Sequence, residues 1–396
     1  MTRNRQQGAE EAVGLLRSLS PTLAFVLPDG RRLEAAPGAA RATVVFRSAP
    51  SLAALVAAPS LAAFGEAFVA GEIEVEGDLV AALEAAYAAD ALVPARAPEA
   101  AARPPDDEAV RHHYDLPAEF FALFLDRRMV YTCAYYRRAG ATLDEAQEAK
   151  LDLVCRKLGL ASGDRLLDVG CGWGALTAWA AERYGTDALG VTLSEPQAAW
   201  ARRMLTATGL ERRVRVEHAD YRAVAGTARF DKIAAVGVIE HVGVARYPAY
   251  FAHLYRLLRP GGLVLNHGIT HATPGRHSSG MAFLTRHVFP GAEFERVGHV
   301  VARMEEAGFR VLDVESLGGH YAETTATWLA RLQARAGAAR ALVGDGRYRT
   351  WVAYLAAATV AFRAGWIDLH QVLACRPDPA APRRADVREP WYTRDG

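Results

Sequence analysis

A glycine-rich turn after an acidic residue is the first feature of this sequence with clear chemical meaning. The segment RLLDVGCGWGALTAWAAERY reads as a buried strand, a turn that contains Gly170, Gly172 and Gly174, and a helix of alanine and aromatic residues. Glycine lets a ligand approach the backbone closely. Dinucleotide-binding folds use the spacing G-x-G-x-x-G to hold a pyrophosphate, whereas these glycines are two residues apart. Asp168 would repel a pyrophosphate and attract an ammonium group, so the turn predicts a site for a cationic ligand.

Polar side chains also follow the next predicted strands, in GVTLSEPQ and HADYR. The carboxyl ends of parallel strands are where open α/β sheets bind ligands. Together with the glycine turn, this arrangement resembles the class I S-adenosylmethionine-dependent methyltransferases, and it implies S-adenosylmethionine as the cofactor. Thr192 stands where many such enzymes carry an acidic residue for the ribose, and Ser194 and Gln197 can make similar hydrogen bonds. Asp220 and Tyr221 are placed to meet the adenine.

The elements that must position these residues alternate between strand and helix after residue 108, which favours a mostly parallel sheet with helices on both faces. The predicted strands are Arg165–Val169, Ala188–Val191, Val214–His218, Lys232–Val236, Leu263–His267, Arg310–Glu315 and an antiparallel Leu369–Cys375. The predicted helices are Trp173–Arg183, Pro196–Thr208, Tyr247–Leu258 and Val297–Ala307, followed by two more between Tyr321 and about Arg363. Pro260-Gly261 is expected to separate a helix from the next strand. The fold class is therefore α/β, with a Rossmann-like sheet of seven strands.

The chain before this region has a different pattern. Residues 91–107 contain four prolines and many alanines without an apolar face, as is typical of a semi-rigid linker. Upstream, short strands joined at Asp29-Gly30 and at Pro37-Gly38, then helices around an alternating piece at residues 72–77, predict a small α+β domain. We therefore expect an N-terminal lipid-facing or membrane-facing domain over residues 1–90, the linker, and a catalytic methyltransferase domain over residues 108–396.

A more specific resemblance extends over eight ordered segments. They are HHYDLPAEFFALFLDRRMVYTCAYY, DVGCGWG, GVTLSEPQ, ADYR, GVIEHVG, LNHGI, VFPG and HYAETTATW. Together they resemble the cyclopropane-fatty-acyl-phospholipid synthases and the related mycolic acid cyclopropane synthases. GEAFVAGEIEVEGDL is similar to the N-terminal domain of the longer members, which act on phospholipids. The resemblance implies transfer of a methylene from S-adenosylmethionine to the cis double bond of an unsaturated acyl chain in membrane phospholipid, forming a cyclopropane fatty acid.

The resemblance also implies a second cofactor, bicarbonate, which takes a proton from the transferred methyl group. The groups that hold it map onto Cys133, Glu240, His267 and Tyr321, with backbone near Gly237 and Ile269. Tyr131 and Thr132, in the same segment as Cys133, are implied as cofactor-binding residues. A thiol, a phenol and an imidazole can donate to an anion, and Glu240 can accept the bicarbonate proton. No spacing of cysteine or histidine indicates a metal site.

Aromatic residues near the predicted cofactor loop suit this reaction. An alkene is a weak nucleophile, so the reaction requires the sulfonium methyl to be held against it in a dry cavity. Aromatic faces can stabilise a carbocation by about 0.5 to 2 kcal/mol each. The candidates are Tyr114, Phe120, Tyr131, Tyr135, Tyr136 and Trp173. Tyr136 replaces a frequent tryptophan of the family, and Ala292-Glu293 departs from its usual lid sequence, so the pocket wall and the lid are expected to differ.

Composition sets wider limits. The 396 residues are 51% apolar and 23% charged, which fits a folded globular protein, and 46 basic against 45 acidic residues leave a net charge of +1. This charge balance gives the protein no overall positive charge of the kind that binds nucleic acid. The four cysteines predict no disulfide framework, and the N-terminus shows no secretory signal. We expect the protein to be a cytoplasmic homodimer. It should bind reversibly at the inner face of the membrane, through its N-terminal domain or the basic segment 111–128, and its partner there should be unsaturated phospholipid.

Three other functions stay open on the sequence. The same alkene could be methylated to give a methylene-branched or methyl-branched chain, since only the site of proton loss differs. The chain could also be a non-catalytic lipid-binding protein, although such a protein has no use for a proton acceptor. A methyltransferase for small molecules or nucleic acids is disfavoured because no basic stripe or NPPY-like motif is present. The phospholipid class and the double-bond position are not encoded in any recognisable motif.

Overall fold

The computed structural model describes residues 22–34, 38–57, 60–90, 116–271, 280–380 and 389–392. Contacts divide this part of the chain into two compact units. The first holds residues 22–90 with their gaps, together with 280–290 and 329–361; the second holds 116–271, 291–328 and the described residues from 362 onward. Sequence analysis placed everything after residue 108 in one domain, so this grouping differs from the expected division. The expected linker at 91–107 lies outside the described residues and stays a prediction.

The described chain contains strands and helices that we number in chain order. The strands are β1 (Leu23–Val26), β2 (Arg32–Glu34), β3 (Ala42–Phe46), β4 (Ile73–Gly77), β5 (Arg165–Val169), β6 (Asp187–Thr192), β7 (Val214–His218), β8 (Phe230–Val236), β9 (Leu258–His271), β10 (Arg310–Ser316) and β11 (Ile367–Cys375). The helices are α1 (Ala49–Ala57), α2 (Leu61–Val69), α3 (Leu79–Asp90), α4 (Ala118–Ala122), α5 (Leu143–Lys157), α6 (Ala175–Tyr184), α7 (Glu195–Thr208), α8 (Ile239–Val242), α9 (Tyr247–Leu257), α10 (Gly280–His287), α11 (Val297–Glu306), α12 (Gly318–Ala334), α13 (Ala336–Val343), α14 (Asp345–Arg363) and α15 (Glu389–Tyr392).

The first unit is built on a four-stranded sheet in the order β2-β1-β3-β4. The predicted Asp29-Gly30 turn joins β1 to β2, which pair antiparallel, and β1 pairs parallel with β3. Arg349 of α14 ties its helix to this unit: its guanidinium donates to the Phe68 and Ile73 carbonyls at 2.6 and 2.8 Å. These contacts explain why helices late in the sequence belong with the N-terminal strands. The predicted α+β character is confirmed.

The second unit is a seven-stranded sheet in the order β10-β11-β9-β8-β5-β6-β7. The five consecutive strands β9-β8-β5-β6-β7 pair parallel with one another. The strand β11 pairs antiparallel with both of its neighbours, β10 and β9. The strand β5 is buried between two apolar clusters, one on each face of the sheet. The predicted α/β class, the number of strands and the antiparallel last strand are confirmed. The order reverses beside β5, which is where open sheets of this kind form a ligand crevice.

Two details of the second unit differ from expectation. The prediction that Pro260-Gly261 separates helix from strand is wrong, because β9 already begins at Leu258 and contains both residues. The pairing with β8 shifts opposite Asp231, so this stretch forms a bulge that tolerates proline. The Gly261 N–H donates to the Arg376 carbonyl at 2.8 Å, which ties the bulge to the end of the neighbouring strand.

The second difference concerns the region between Tyr321 and about Arg363, where two helices were expected. The structure has three helices there, α12 to α14.

Within the described ranges, every helix is too short or too polar to cross a lipid bilayer.

Candidate active site

A cavity of about 160 Å³ lies at the carboxyl ends of β5, β6 and β8. Its walls contain most of the side chains and backbone that the sequence predicts for cofactor binding, namely Tyr131, Thr132, Asp168, Gly170, Gly172, Thr192, Gln197, Asp220 and Tyr221. Gly174 and Ser194 are not in the wall. Gly237, predicted from the second cofactor, also lines this cavity. The structure therefore brings residues from five separate sequence motifs to one place.

The glycines of the turn have distinct roles. All three have positive φ, at 71° for Gly170, 55° for Gly172 and 84° for Gly174. A Cβ atom on Gly170 would lie 2.5 Å from Val238, and one on Gly174 would lie 2.9 Å from Ala201. These two glycines are needed for close packing. A Cβ on Gly172 would meet nothing within 4 Å, so Gly172 is the position that leaves space for a ligand.

Asp168 ends β5 in the wall of the cavity. Its side chain is fully buried, and neither carboxylate oxygen has a hydrogen-bond partner. Burial raises its pKa to about 7, and the nearby Lys150 ammonium opposes this rise. A buried carboxylate without partners is costly unless a ligand supplies them. Asp168 is therefore available to accept hydrogen bonds from a ligand amine, as its sequence position predicts.

Hydrogen bonds arrange the polar groups after β6 and β7. The Thr192 hydroxyl donates to Gln197 Oε1 at 2.9 Å and accepts from the Ser194 N–H at 3.2 Å. Ser194 is fully buried and does not line the cavity, and its N–H holds the Thr192 hydroxyl in place. The Asp220 carboxylate accepts from the Arg222 guanidinium at 2.6 and 2.8 Å. Burial opposes ionisation of Asp220, but these bonds outweigh it and lower the pKa. The Tyr221 ring packs edge-on to Tyr250.

Two polar residues of α5 that sequence analysis missed hold the segment before Cys133. Gln147 Nε2 donates to the Thr132 carbonyl at 2.8 Å, and Lys150 Nζ donates to Thr132 Oγ1 at 2.9 Å. Both side chains are buried. Burial lowers the Lys150 pKa to about 8, although the charge of Asp126 and other groups opposes this. No local signal marked these two residues, because long polar side chains on a helix usually face water.

Glu240 lies in the four-residue helix α8, which follows β8. Its Oε1 accepts from the Ile269 N–H at 2.7 Å, while Oε2 is buried and has no hydrogen-bond partner. Burial raises the Glu240 pKa to about 7, and the bond from Ile269 counteracts part of this rise. At neutral pH the group therefore exists in both protonation states. That property suits a side chain that accepts and releases a proton.

His267 is fully buried in the middle of β9. Its Nδ1 lies 3.2 Å from Gln371 Nε2, and its Nε2 has no hydrogen-bond partner. Burial lowers the His267 pKa far below the usual value, and the charges of Lys150 and Lys157 act in the same direction. The imidazole is therefore neutral at physiological pH. Gln371 is a third polar residue near the site that the sequence patterns did not indicate.

Backbone contacts link Cys133 with Tyr321, and Gly237 with His267. The Cys133 thiol is buried close to the Leu317 carbonyl, at 3.8 Å, and the Tyr321 N–H donates to the same carbonyl. Burial raises the Cys133 pKa, so the thiol is neutral. The Gly237 N–H donates to the His267 carbonyl at 2.8 Å, and a Cβ on Gly237 would lie 3.1 Å from the Thr132 methyl. Gly237 thus connects the cofactor cavity to the second group of predicted residues.

A ladder of aromatic rings links the cavity wall to Tyr321. The ring centroids of Trp173 and Phe121 are 5.5 Å apart, those of Phe121 and Tyr131 5.6 Å, and those of Tyr131 and Trp328 5.1 Å. Tyr321 packs edge-on to Trp328. Among the other predicted aromatics, Phe120 packs on its neighbours in α4, Tyr135 and Tyr136 stack with His320, and Tyr114 lies outside the described residues.

Glu293, one of the two residues where the chain departs from the expected lid sequence, lies against α8. Its carboxylate accepts from the Val244 N–H at 2.7 Å, and its own N–H donates to the Glu240 carbonyl at 3.1 Å. The departure therefore supports the helix that carries Glu240. His241, in the same helix, lines the cofactor cavity.

The order of the seven strands and the cavity beside β5 define a class I S-adenosylmethionine-dependent methyltransferase. Residues 102–372 match the family model described as mycolic acid cyclopropane synthetase. The chain belongs to this family, which confirms the resemblance drawn from its motifs.

Relatives of known name agree with this assignment. The chain is 40% identical over 378 residues to a probable fatty acid methyltransferase of Pseudomonas putida, a match that covers 91% of this chain and 94% of the relative. It is 39% identical over 277 residues to cyclopropane mycolic acid synthase 1 of Mycobacterium tuberculosis, which covers 66% of this chain and 94% of the relative. The crystal structure of mycolic acid cyclopropane synthase CmaA1 complexed with SAH and CTAB is 38% identical, with a TM-score of 0.66, and covers 68% of this chain and 98% of that one.

Proposed function

We propose that the protein transfers a methylene from S-adenosylmethionine to the cis double bond of an unsaturated acyl chain in a phospholipid, and so forms a cyclopropane ring. One observation carries the proposal: among the described residues, Glu240 Oε2 and His267 Nε2 are each buried without a hydrogen-bond partner, and the N–H of Gly237, in the wall of the cofactor cavity, donates to the His267 carbonyl. A methyltransferase that only transfers a methyl group to an amine or hydroxyl does not require such a buried polar pair away from the cofactor. Ring closure does, because the transferred methyl must lose a proton.

The residues of this pair fit bicarbonate. When bound, bicarbonate would supply a proton acceptor that is not tethered to the chain. His267 Nε2 and the neutral Cys133 thiol can donate hydrogen bonds to an anion, and the Ile269 backbone lies beside Glu240. The Glu240 carboxyl, with a pKa of about 7, can take up a proton there and pass it on. We propose Cys133, Glu240, His267 and Tyr321 as the groups that hold it.

The cofactor cavity provides what methyl transfer to an alkene requires. When bound, S-adenosylmethionine supplies an electrophilic methyl group on a positively charged sulfur. Asp168 has two carboxylate oxygens available for its ammonium group, and Asp220 and Tyr221 line the same cavity. Tyr131 and Trp173 present aromatic faces that stabilise positive charge, and the buried ladder behind them excludes water.

A second candidate function is methylation of the same alkene to a methyl-branched or methylene-branched acyl chain. The name of the Pseudomonas putida relative, a fatty acid methyltransferase, favours it. The two outcomes share the cofactor, the substrate class and the carbocation that methyl transfer leaves. Direct loss of a proton from the transferred methyl closes the ring, whereas a hydride shift before that loss leaves a methylene branch, and loss of a proton from the chain leaves a methyl-branched alkene. They are separated by the structure of the product.

Product analysis tests the proposal. We expect expression of the full chain in a bacterium with monounsaturated phospholipids to convert part of the monounsaturated acyl chains into products with one additional CH2 group. Fatty acid methyl esters, analysed by gas chromatography and NMR, should show the high-field protons of a cyclopropane ring. Vinylidene protons or a branched methyl signal would support the second candidate instead. If the acyl chains stay unchanged in these cells although the purified protein binds S-adenosylmethionine, both candidate functions are rejected.

We also propose that α1 docks the protein reversibly on the membrane that holds its substrate. This helix has no charged residue, and Leu55 and Val56 are only half-buried. The alternative basic segment is a weaker basis, because Arg127 and Arg128 both pair with Glu148. An apolar helix of this kind gains free energy by burying its side chains in the headgroup region.

Charged substitutions in α1 are expected to weaken membrane binding. A variant with Leu55→Asp and Val56→Asp should sediment with vesicles of unsaturated phosphatidylglycerol about tenfold less strongly, since burial of one such side chain contributes about 1.5 kcal/mol or more. Its affinity for S-adenosylmethionine should not change. Ala88→Asp, at an exposed position of α3, is the matched control. Equal sedimentation of the double variant and the control would contradict a docking role for α1.

A further inference from the structure

Gln371 and His267 face each other across two strands in the middle of the sheet. Gln371 on β11 is the direct partner of His267 on β9 in the antiparallel register. Both side chains are fully buried, and Gln371 Nε2 lies 3.2 Å from His267 Nδ1. Buried polar groups in the interior of a sheet are costly unless they are hydrogen-bonded, so they are retained where they have a task.

The direction of this hydrogen bond decides where the imidazole carries its proton. In the amide orientation of the structure, Gln371 Nε2 faces the ring and donates, so His267 Nδ1 accepts and carries no proton. A neutral imidazole then holds its one proton on Nε2. Among the residues that the structure describes, that nitrogen has no hydrogen-bond partner, so its N–H is available to a ligand. The second ring nitrogen commonly sets the tautomer of a functional histidine in this way.

We propose that Gln371 is a positioning residue, which holds His267 in the Nε2–H tautomer so that the imidazole donates a hydrogen bond to the bound anion. This inference rests on the proposed function for the identity of the anion as bicarbonate. It explains why an amide stands here. A carboxylate at the same position would accept from Nδ1, favour the imidazolium, and place a negative charge beside an anion site.

The tautomer can be measured directly. We expect two-bond ¹⁵N–¹H correlation spectra of the full chain, labelled at its 12 histidines, to show His267 as the Nε2–H tautomer, with the signal assigned by its loss in His267→Asn. Gln371→Met keeps the length of the side chain without an N–H, and it should populate the Nδ1–H form. Gln371→Glu should shift His267 toward the imidazolium. A parent protein with its proton on Nδ1, or a tautomer unchanged in both variants, would overturn the proposal.

A binding readout complements the spectrum. In Gln371→Met, the bicarbonate concentration for half-maximal activity should rise about tenfold, the scale expected when the support of a functional histidine is removed. Affinity for S-adenosylmethionine should stay within twofold. Leu373→Met, a volume-conserving change two residues along the same strand, controls for packing and should alter neither quantity. A parent enzyme without bicarbonate dependence would reject the proposed base, whereas the spectra would still decide the role of Gln371.

Discussion

Replacing Glu240 with glutamine is expected to lower turnover by about 100-fold, the scale of a positioned proton acceptor. The amide cannot take up a proton, whereas its Oε1 can still accept the bond from Ile269 that orients the side chain. The fold and the affinity for S-adenosylmethionine should therefore be retained. Initial rates on unsaturated phospholipid vesicles and calorimetry with the cofactor check both statements.

The pH profile adds a second test of Glu240. Its pKa is raised to about 7, so the carboxyl is largely protonated below pH 7 and ionised above it. If the ionised form is required, activity of the parent enzyme should rise with pH through this range. The residual activity of Glu240→Gln should lack that rise. Glu305→Gln, at an exposed position of α11, serves as the control. Turnover of Glu240→Gln within twofold of the parent would exclude the proposed role.

Replacing Gly172 with aspartate is expected to weaken S-adenosylmethionine binding by about 100-fold or more, which corresponds to about 2.7 kcal/mol. The new side chain would occupy the open space beside the backbone at this point of the cavity wall. It would also add a second carboxylate near Asp168. Because aspartate tolerates the left-handed backbone better than most residues, the fold should persist. Calorimetry on the full chain measures the loss.

Gly209→Asp is the matched control for this change. Gly209 also has a positive φ, of 71°, and open space around its Cβ position, but it ends helix α7 outside the cavity wall. The control should bear the same backbone strain and keep its affinity. If the Gly172 variant is folded and binds the cofactor as tightly as the control, the glycine turn does not hold the cofactor.

Local patterns predicted the strands of the seven-stranded sheet well. β5 and β7 have the expected bounds to the residue, because each is a short run with buried apolar side chains between turn residues. Motif spacing also located the cavity wall, since the carboxyl ends of parallel strands meet at one edge of the sheet. The cavity itself required the structure, because its depth depends on packing between segments far apart in the sequence.

Other features depend on contacts that local patterns do not contain. Gln147, Lys150 and Gln371 were missed because long polar side chains usually face water, and only tertiary packing buries these three. Arg349 joins α14 to the Phe68 carbonyl of α2, 281 residues earlier in the chain, and to the Ile73 carbonyl of β4, 276 residues earlier. Bicarbonate, phospholipid, the cytoplasmic location at the membrane face and the homodimer stay predictions.

The positions of the four cysteines allow the unfolding of one of the two units to be followed by thiol labelling. All four thiols are buried, and they all lie in the unit that holds the seven-stranded sheet. Burial raises the pKa of Cys133, Cys155 and Cys171, so little reactive thiolate forms in the folded state. Modification of Cys133 and Cys155, which are 0% exposed, therefore has to await unfolding of this unit, whereas Cys171 lines the cofactor cavity. Because the first unit has no cysteine, the rate of labelling in denaturant isolates the opening of the methyltransferase sheet from that of the N-terminal strands.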